Sequence, residues 1–232
     1  MKPIIIIPAY NEAENIVTTV KTLQAECPLT DYIIVNDGSK DNTATVCKEA
    51  GLNILDSPIN LGLPGAFQLG MQYASKNGYD AALQFDGDGQ HLPEYISALC
   101  TAMEDSGADI IIGSRFLEEK KPLSSRMLGS SLIRFLIRLA TGVKLTDPTS
   151  GMRLFSKRLI EKFAWSLNYD PEPDTLVYLI RCGAKVVEVP VKMKEREFGE
   201  SYLSATRAAV YMLRICVSIL FIQWFRKKGV LG

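Results

Sequence analysis

The feature that most constrains this chain is an alternation in its first half, where short apolar runs rich in β-branched residues are separated by stretches with helical spacing. Ile4-Ile5-Ile6-Ile7, Tyr32-Ile33-Ile34-Val35 and Asp109-Ile110-Ile111-Ile112 are almost continuous in apolar side chains. A strand reads this way when both of its faces are covered, as in a mostly parallel sheet with helices above and below. The pattern predicts strands near 3–7, 32–36, 52–55, 81–86 and 109–112, with helices near 12–25, 42–50, 63–77 and 93–105. Strand-helix-strand units in that order predict an α/β three-layer sandwich. A chain of 232 residues is long enough to bury a sizeable core in one such domain.

The second half changes character. The spacing predicts a helix over 124–141, on which Arg126, Ser130, Arg134 and Arg138 recur every fourth residue and form one ridge on an otherwise apolar cylinder. Helices near 157–164 and 172–182, a strand over 185–191 and a long helix from 203 to 228 complete the order. The simplest division is a main domain over 1–202 and an amphipathic helix in 203–232. Formal net charge is zero, so no global field recruits nucleic acid, and no nucleic-acid partner is expected. The five cysteines are scattered without a C-x-x-C pair and read as buried thiols of a reducing compartment, with no disulfide frame or zinc site. The Ile4 to Ile7 run is too short for a signal-peptide core and meets Pro8 at once, so no cleaved signal is expected.

Chemistry concentrates in Leu83-Gln84-Phe85-Asp86-Gly87-Asp88-Gly89-Gln90-His91, a strand ending in two carboxylates flanked by glycines. Ligands of a parallel sheet bind beyond the carboxyl ends of its strands, where this pair would lie. Two hard oxygen donors suit Mg²⁺ or Mn²⁺, which completes its shell with substrate phosphates and water. An isolated D-x-D is more often a solvated turn, and here the surrounding motifs favour the metal. Gln90, through its amide oxygen, is the expected third ligand, while His91 reads as the residue that leads into the helix at Pro93, with a place beside the metal as the alternative. Pro8-Ala9-Tyr10-Asn11-Glu12 and Val35-Asn36-Asp37-Gly38-Ser39 form a second constellation at the ends of the first two strands. Asp37 and Glu12 are candidates to bond a base or ribose and Tyr10 offers an aromatic face, whereas Asn11 and Asp41 read equally well as helix caps.

Seven segments in order resemble family 2 glycosyltransferases of the GT-A fold, in the dolichol-phosphate mannose synthase and polyprenyl-phosphate sugar synthase branch. They are Pro8 to Glu12, Val35 to Asp41, Asn60-Leu61-Gly62, Asp86 to Glu94, Gly113-Ser114-Arg115, Asp147 to Arg153, and Arg196 to Ser201. The resemblance implies a donor site of Pro8, Ala9, Tyr10, Glu12, Val35, Asp37, Asp86, Gly87, Asp88, Arg115 and Arg196, with metal at Asp86, Asp88 and Gln90. It also implies acceptor contacts from Arg126, Arg134, Ser150, Arg153 and Ser201, and catalytic roles for Asp88, Arg115 and Asp147. Two departures stand out: Asn36 replaces the first of two usual aspartates, and Tyr202 stands where a lysine is frequent.

The implied reaction moves a sugar, with inversion at C1, from a nucleotide-diphosphate sugar to a polyprenyl (undecaprenyl or dolichyl) phosphate, with a UDP-sugar preferred to GDP-mannose. A phosphate monoester is already ionised near neutral pH, since its second pKa is about 6, so no strong base is needed. Asp147 would be the base for a hydroxyl acceptor, or else a cap on the turn into Pro148. Transfer to a saccharide hydroxyl by the same fold and Mg²⁺-dependent nucleotidyl transfer are the competing readings. No glycine occurs between Pro8 and Asn15, against the Gly-rich first turn of nucleotidyltransferases and dehydrogenases. In the tail, Arg207, Tyr211, Arg214 and Ser218 share one stripe, and Trp224 precedes Arg226-Lys227-Lys228. That pattern predicts a helix lying at the inner, cytoplasmic face of a membrane, or packed on a small membrane protein or a second copy of the chain.

Overall fold

The computed structural model describes residues 1–118, 125–166, 171–194 and 205–225. Strand β1 (Pro3–Ala9) sits in the middle of the sheet, and its isoleucines divide by parity. Ile4 and Ile6 enter one core cluster, Ile5 and Ile7 the other, and all four are fully buried. Each such side chain contributes roughly 1.5–3 kcal/mol relative to exposure, which makes the sheet register hard to slip.

The sheet has seven strands in the order β3 (Ile54–Asp56), β2 (Asp31–Asn36), β1, β4 (Ala81–Gln84), β6 (Arg153–Ser156), β5 (Ile110–Ser114) and β7 (Val186–Pro190). Helices α1 (Ile16–Glu26), α2 (Thr43–Glu49) and α4 (Ile96–Ser106) cover one face. The other face carries α3 (Gly62–Lys76), α5 (Ser125–Thr141), α6 (Lys157–Trp165), α7 (Pro173–Arg181) and α8 (Ala205–Val217). This is the three-layer α/β sandwich expected. From β1 the chain winds outward through β2 and β3, then returns to place β4 on the other side of β1. The crevice at the carboxyl ends of β1 and β4 is therefore the topological switch point, where an α/β sheet holds its ligand.

Strand β6 is the element that the sequence pattern did not foretell. It is four residues long and runs antiparallel between β4 and β5, pairing Gln84 with Arg153 on one side and Ile112 with Arg153 on the other. Arg153-Leu154-Phe155-Ser156 carries no β-branched run and leads directly into α6, so only its two neighbours make it a strand.

The tail buries part of its polar stripe beside apolar residues. Tyr211 and Ser218, on its polar stripe, turn inward and donate to Glu172 and Asp174 at the start of α7, while Ile215 and Ile219 join the main core. Val210, Leu213 and Val217 face outward and are 69%, 66% and 42% exposed. On α5, Leu132, Phe135 and Leu139 are likewise exposed. The two helices approach closely at Gly129, where an added Cβ would lie 2.7 Å from Met212 Cε. Beyond α8 the helix widens into a π-turn, Ser218–Ile222, and a last turn, Gln223–Phe225. Among the described residues, no helix is long and apolar enough to cross a membrane.

Candidate active site

The loops after β1 and β2 are stitched together by side chains bonding to backbone. Asn11, in the left-handed region at φ 55°, donates its N–H to Ser39 Oγ at 2.9 Å and accepts from Lys40 N–H at 2.9 Å. Asp41 precedes the N-cap of α2, Asn42, and is not itself the cap: its Oδ1 accepts from Thr43 N–H and its Oδ2 from Ala13 N–H, which ties the start of α2 to the loop after β1. Asn11 therefore ties two loops together and caps no helix. Gly38 has φ 62°, and a Cβ there would sit 2.5 Å from the Ile59 carbonyl carbon, so only glycine fits.

Asn36 and Asp37 divide the work at the end of β2. The Asn36 amide donates to Asp56 Oδ1 at 2.7 Å while its own oxygen accepts from Ser39. A carboxylate could not make that donation, which gives the departure at position 36 a structural reason. Asp37 is buried, and its Oδ1 accepts from Leu61 N–H at 2.7 Å at the start of α3. Burial pushes its carboxyl above the usual carboxylate range, opposed by the backbone N–H groups of Leu61 and Gly62.

The carboxylate pair lies next to these loops. Asp86 donates its backbone N–H to His91 Nδ1 at 2.9 Å, which assigns the neutral ring's proton to Nε2, 3.5 Å from Asp86 Oδ2. Asp88 Oδ1 accepts from Gln90 N–H at 3.1 Å, and the Gln90 carbonyl accepts from Lys194 N–H at 3.0 Å. Thr19 clamps the loop from α1 through the Gly87 carbonyl at 3.2 Å. Gly151 reaches the pair from the other half of the chain: a Cβ there would be 2.8 Å from Asp86 Oδ2.

These groups enclose a cleft of about 480 Å³ lined by Pro8, Tyr10, Glu12, Asp37, Asn60, Leu63, Asp86, Gly87 and Asp88, among others. Its size suits a small polyphosphate ligand with an attached ring. Of the expected donor residues, Ala9 and Val35 point into the core instead, at 2% and 0% exposure, and can offer only backbone. Among the described residues, no group of three or more His, Cys, Asp or Glu is arranged to hold a metal ion by itself. Two hard carboxylates with an open remainder are the donor set of an ion completed by substrate phosphates, so Asp86 and Asp88 fit Mg²⁺ or Mn²⁺.

Arg115 and Asp147 pair with each other. Arg115 Nε and Nη2 fork onto the two carboxylate oxygens at 2.7 and 2.9 Å, and Asp147 is fully buried. Glu188, the lone charge of β7, receives the backbone N–H of Thr146 and of Asp147, both at 2.7 Å, and so holds the turn from beneath. Arg153 is buried, and its guanidinium donates to the carbonyls of Pro148, Ser150 and Pro171. Ser150 is buried with its hydroxyl accepting from Met152 N–H. The acceptor contacts expected for Arg153 and Ser150 do not fit this placement, because a guanidinium spent on three carbonyls braces the turn. Arg134 lies on α5 with a buried Nε that has no partner among the described residues. Arg196, Ser201, Tyr202 and Arg226 to Lys228 lie outside the described residues, as do the side chains of Arg126, Arg207 and Trp224.

Sequence reasoning underrated two groups. His91 is the chain's one histidine and follows Asp86 by five positions, a spacing that lets a tight turn fold the ring back onto the carboxylate. Glu188 was signalled only by a single charge inside Val186-Val187-Glu188-Val189-Pro190.

Comparison with known proteins agrees with this picture. The family model described as Glycosyl transferase family 2 matches residues 4–163. An undecaprenyl-phosphate mannosyltransferase of Micrococcus luteus is 33% identical, with 100% of each chain covered. A polyprenol monophosphomannose synthase of Mycolicibacterium smegmatis is 31% identical over 92% of this chain and 85% of its own. Among solved structures, glucosyl-3-phosphoglycerate synthase from Mycobacterium tuberculosis, in complex with Mn²⁺ and UDP-glucose, superposes with a TM-score of 0.68 at 16% identity. That superposition covers 98% of this chain and 81% of the other, and identifies the fold as GT-A.

Proposed function

The chain belongs to glycosyl transferase family 2, and from that premise we propose that it moves a sugar from a nucleotide-diphosphate sugar to a polyprenyl phosphate at a membrane surface. The observation that carries the reading is the carboxylate pair Asp86 and Asp88 in a cleft shared with Tyr10, Glu12 and Asp37. Those three residues receive the nucleoside, with a UDP-sugar as the donor we assign ahead of GDP-mannose. Asp86 and Asp88 would hold Mg²⁺ or Mn²⁺, with the Gln90 amide as third ligand, and such an ion would supply electrostatic stabilisation for a departing diphosphate. His91 holds Asp86 in place through its backbone N–H, keeping that carboxylate aimed into the cleft.

The geometry around Asp147 favours a phosphate acceptor over a saccharide hydroxyl. Both oxygens of that carboxylate are occupied by Arg115, so the group is poorly placed to take a proton, and an ionised phosphate has none to give up. Arg134, whose Nε has no partner among the described residues, is the described cation we assign to the lipid phosphate, with Arg126 as a second expected contact. The exposed apolar side chains of α5 and α8 support contact with lipid, because such a helix pair is stable only against something that takes them out of water. We assign that attachment to the inner, cytoplasmic face of the membrane.

The test supplies polyprenyl phosphate and radiolabelled UDP- and GDP-sugars with Mn²⁺, then extracts into organic solvent. A lipid-extractable product of inverted anomeric configuration is expected. Label that reaches only water-soluble saccharides, with every donor, rejects the acceptor, and retained configuration by NMR rejects single displacement.

A further inference from the structure

We propose that α8 is a positioning element for the turn that carries Asp147 and Gly151, acting through Tyr211, Glu172 and Arg153. The inference rests on the transfer reaction proposed above and adds the tail to its machinery. Gly151 lies against the Asp86 carboxylate, so any drift of its turn changes the floor of the cleft. Glu188 and Arg115 hold the start of that turn, and Arg153 braces the rest through the carbonyls of Pro148 and Ser150 at 2.6 and 2.8 Å. The same guanidinium reaches the Pro171 carbonyl at 3.0 Å, one residue before Glu172.

Burial penalises the Arg153 cation, and the largest attraction opposing that penalty comes from Glu172. Glu172 in turn accepts a short hydrogen bond from the Tyr211 hydroxyl and lies 3.7 Å from Arg214, both on α8. A turn later, Ser218 and Gln223 donate to Asp174 and anchor the helix on α7 a second time. A single helix thus presents Val210 and Leu213 outward while its Tyr211 is linked inward, by way of Glu172 and Arg153, to the turn that carries Asp147 and Gly151. An ordinary packing helix would need no hydroxyl aimed at the counter-charge of a buried arginine.

Tyr211→Phe in the full chain keeps the ring and deletes only the bond. Backbone amide exchange at 150–153 should then quicken about tenfold, the equivalent of one hydrogen bond to a charged group, while β1 and β2 stay protected. Turnover should fall about five- to tenfold with the KM for the nucleotide sugar unchanged. Glu172→Gln should act in the same direction, and the double variant should fall short of the product of the two single effects. Unchanged exchange at the turn overturns the proposal, and so does faster exchange with full turnover, or a donor KM that rises in step with a general loss of stability. If the wild type gives no lipid-extractable product, the proposed function fails by itself. The exchange data and the rate of metal-dependent nucleotide-sugar hydrolysis then decide the positioning role in the same way.

Discussion

The two halves of the molecule use polar groups in opposite ways. In the first half, from β1 to β4, side chains fix loop backbone so that other carboxylates stay turned toward a cleft: Asn11, Ser39 and Asp41 knit, and Asp37, Asp86 and Asp88 remain at the cleft wall. In the second half the charges face each other or the backbone, as in Arg115 with Asp147, Glu188 with the Thr146–Asp147 amides, and Arg153 with three carbonyls. Both halves carry charged residues in motifs, yet these carboxylates of the first line a cleft and these charges of the second hold shape. A charged motif in a sequence therefore marks a place where geometry is demanding, and its partners decide whether that demand is chemical or structural.

Substitutions can break that contrast, and the largest effect should come from the carboxylates. Asp88→Ala should lower turnover on the order of 10³-fold and abolish Mn²⁺-dependent stabilisation by nucleotide sugar, while the melting temperature of the free protein barely moves. Arg115→Ala should do the reverse in stability, costing about 3 kcal/mol in urea unfolding because Asp147 is left buried and unpaired. Equal losses of stability from the two would erase the distinction between the halves. Gly151→Ala tests the contact between them: a Cβ 2.8 Å from Asp86 Oδ2 must push the carboxylate aside, and kcat should drop about 10²-fold with nucleotide affinity nearly intact.

Smaller effects sharpen the picture. Asn36→Asp should cost about 1–3 kcal/mol, since it exchanges a donated bond to Asp56 for two facing carboxylates, and guanidinium unfolding would measure it. The loss should shrink as pH falls and these carboxylates take up protons. The smallest expected effect is chemical. Burial pushes the thiols of Cys47 and Cys100 up to about 11, so both should react slowly with iodoacetamide at pH 7.5 and speed up only in denaturant. The cysteines are free as expected, but only Cys47 is fully buried and the other four are half-buried.

Much of the fold was legible because local pattern and global burial agree in a doubly covered parallel sheet. The isoleucines of β1 and the helical spacing of α3 each demand the same three layers. Bounds of α2 to α7 came within a few residues for the same reason, whereas the first turn expected for α1 is taken by the loop that leads to Asn15, and the ends expected for the tail helix, 203 and 228, lie outside the described residues. The D-x-D pair and the polar ends of β1 and β2 were also readable, since strand ends in such sheets have one functional side.

Sequence by itself determined which residue types stand at the carboxyl ends of the strands, because a strand's period and its covering helices leave no other register. Only the tertiary structure decided what those residues touch. Arg153 became a brace, Asp147 a partner of Arg115, His91 a prop for Asp86, and Tyr211 and Ser218 of the tail turned inward. Each outcome depends on a group distant in the chain, and a charge settles on whichever partner the packed core brings within about 3 Å, a distance no local pattern records.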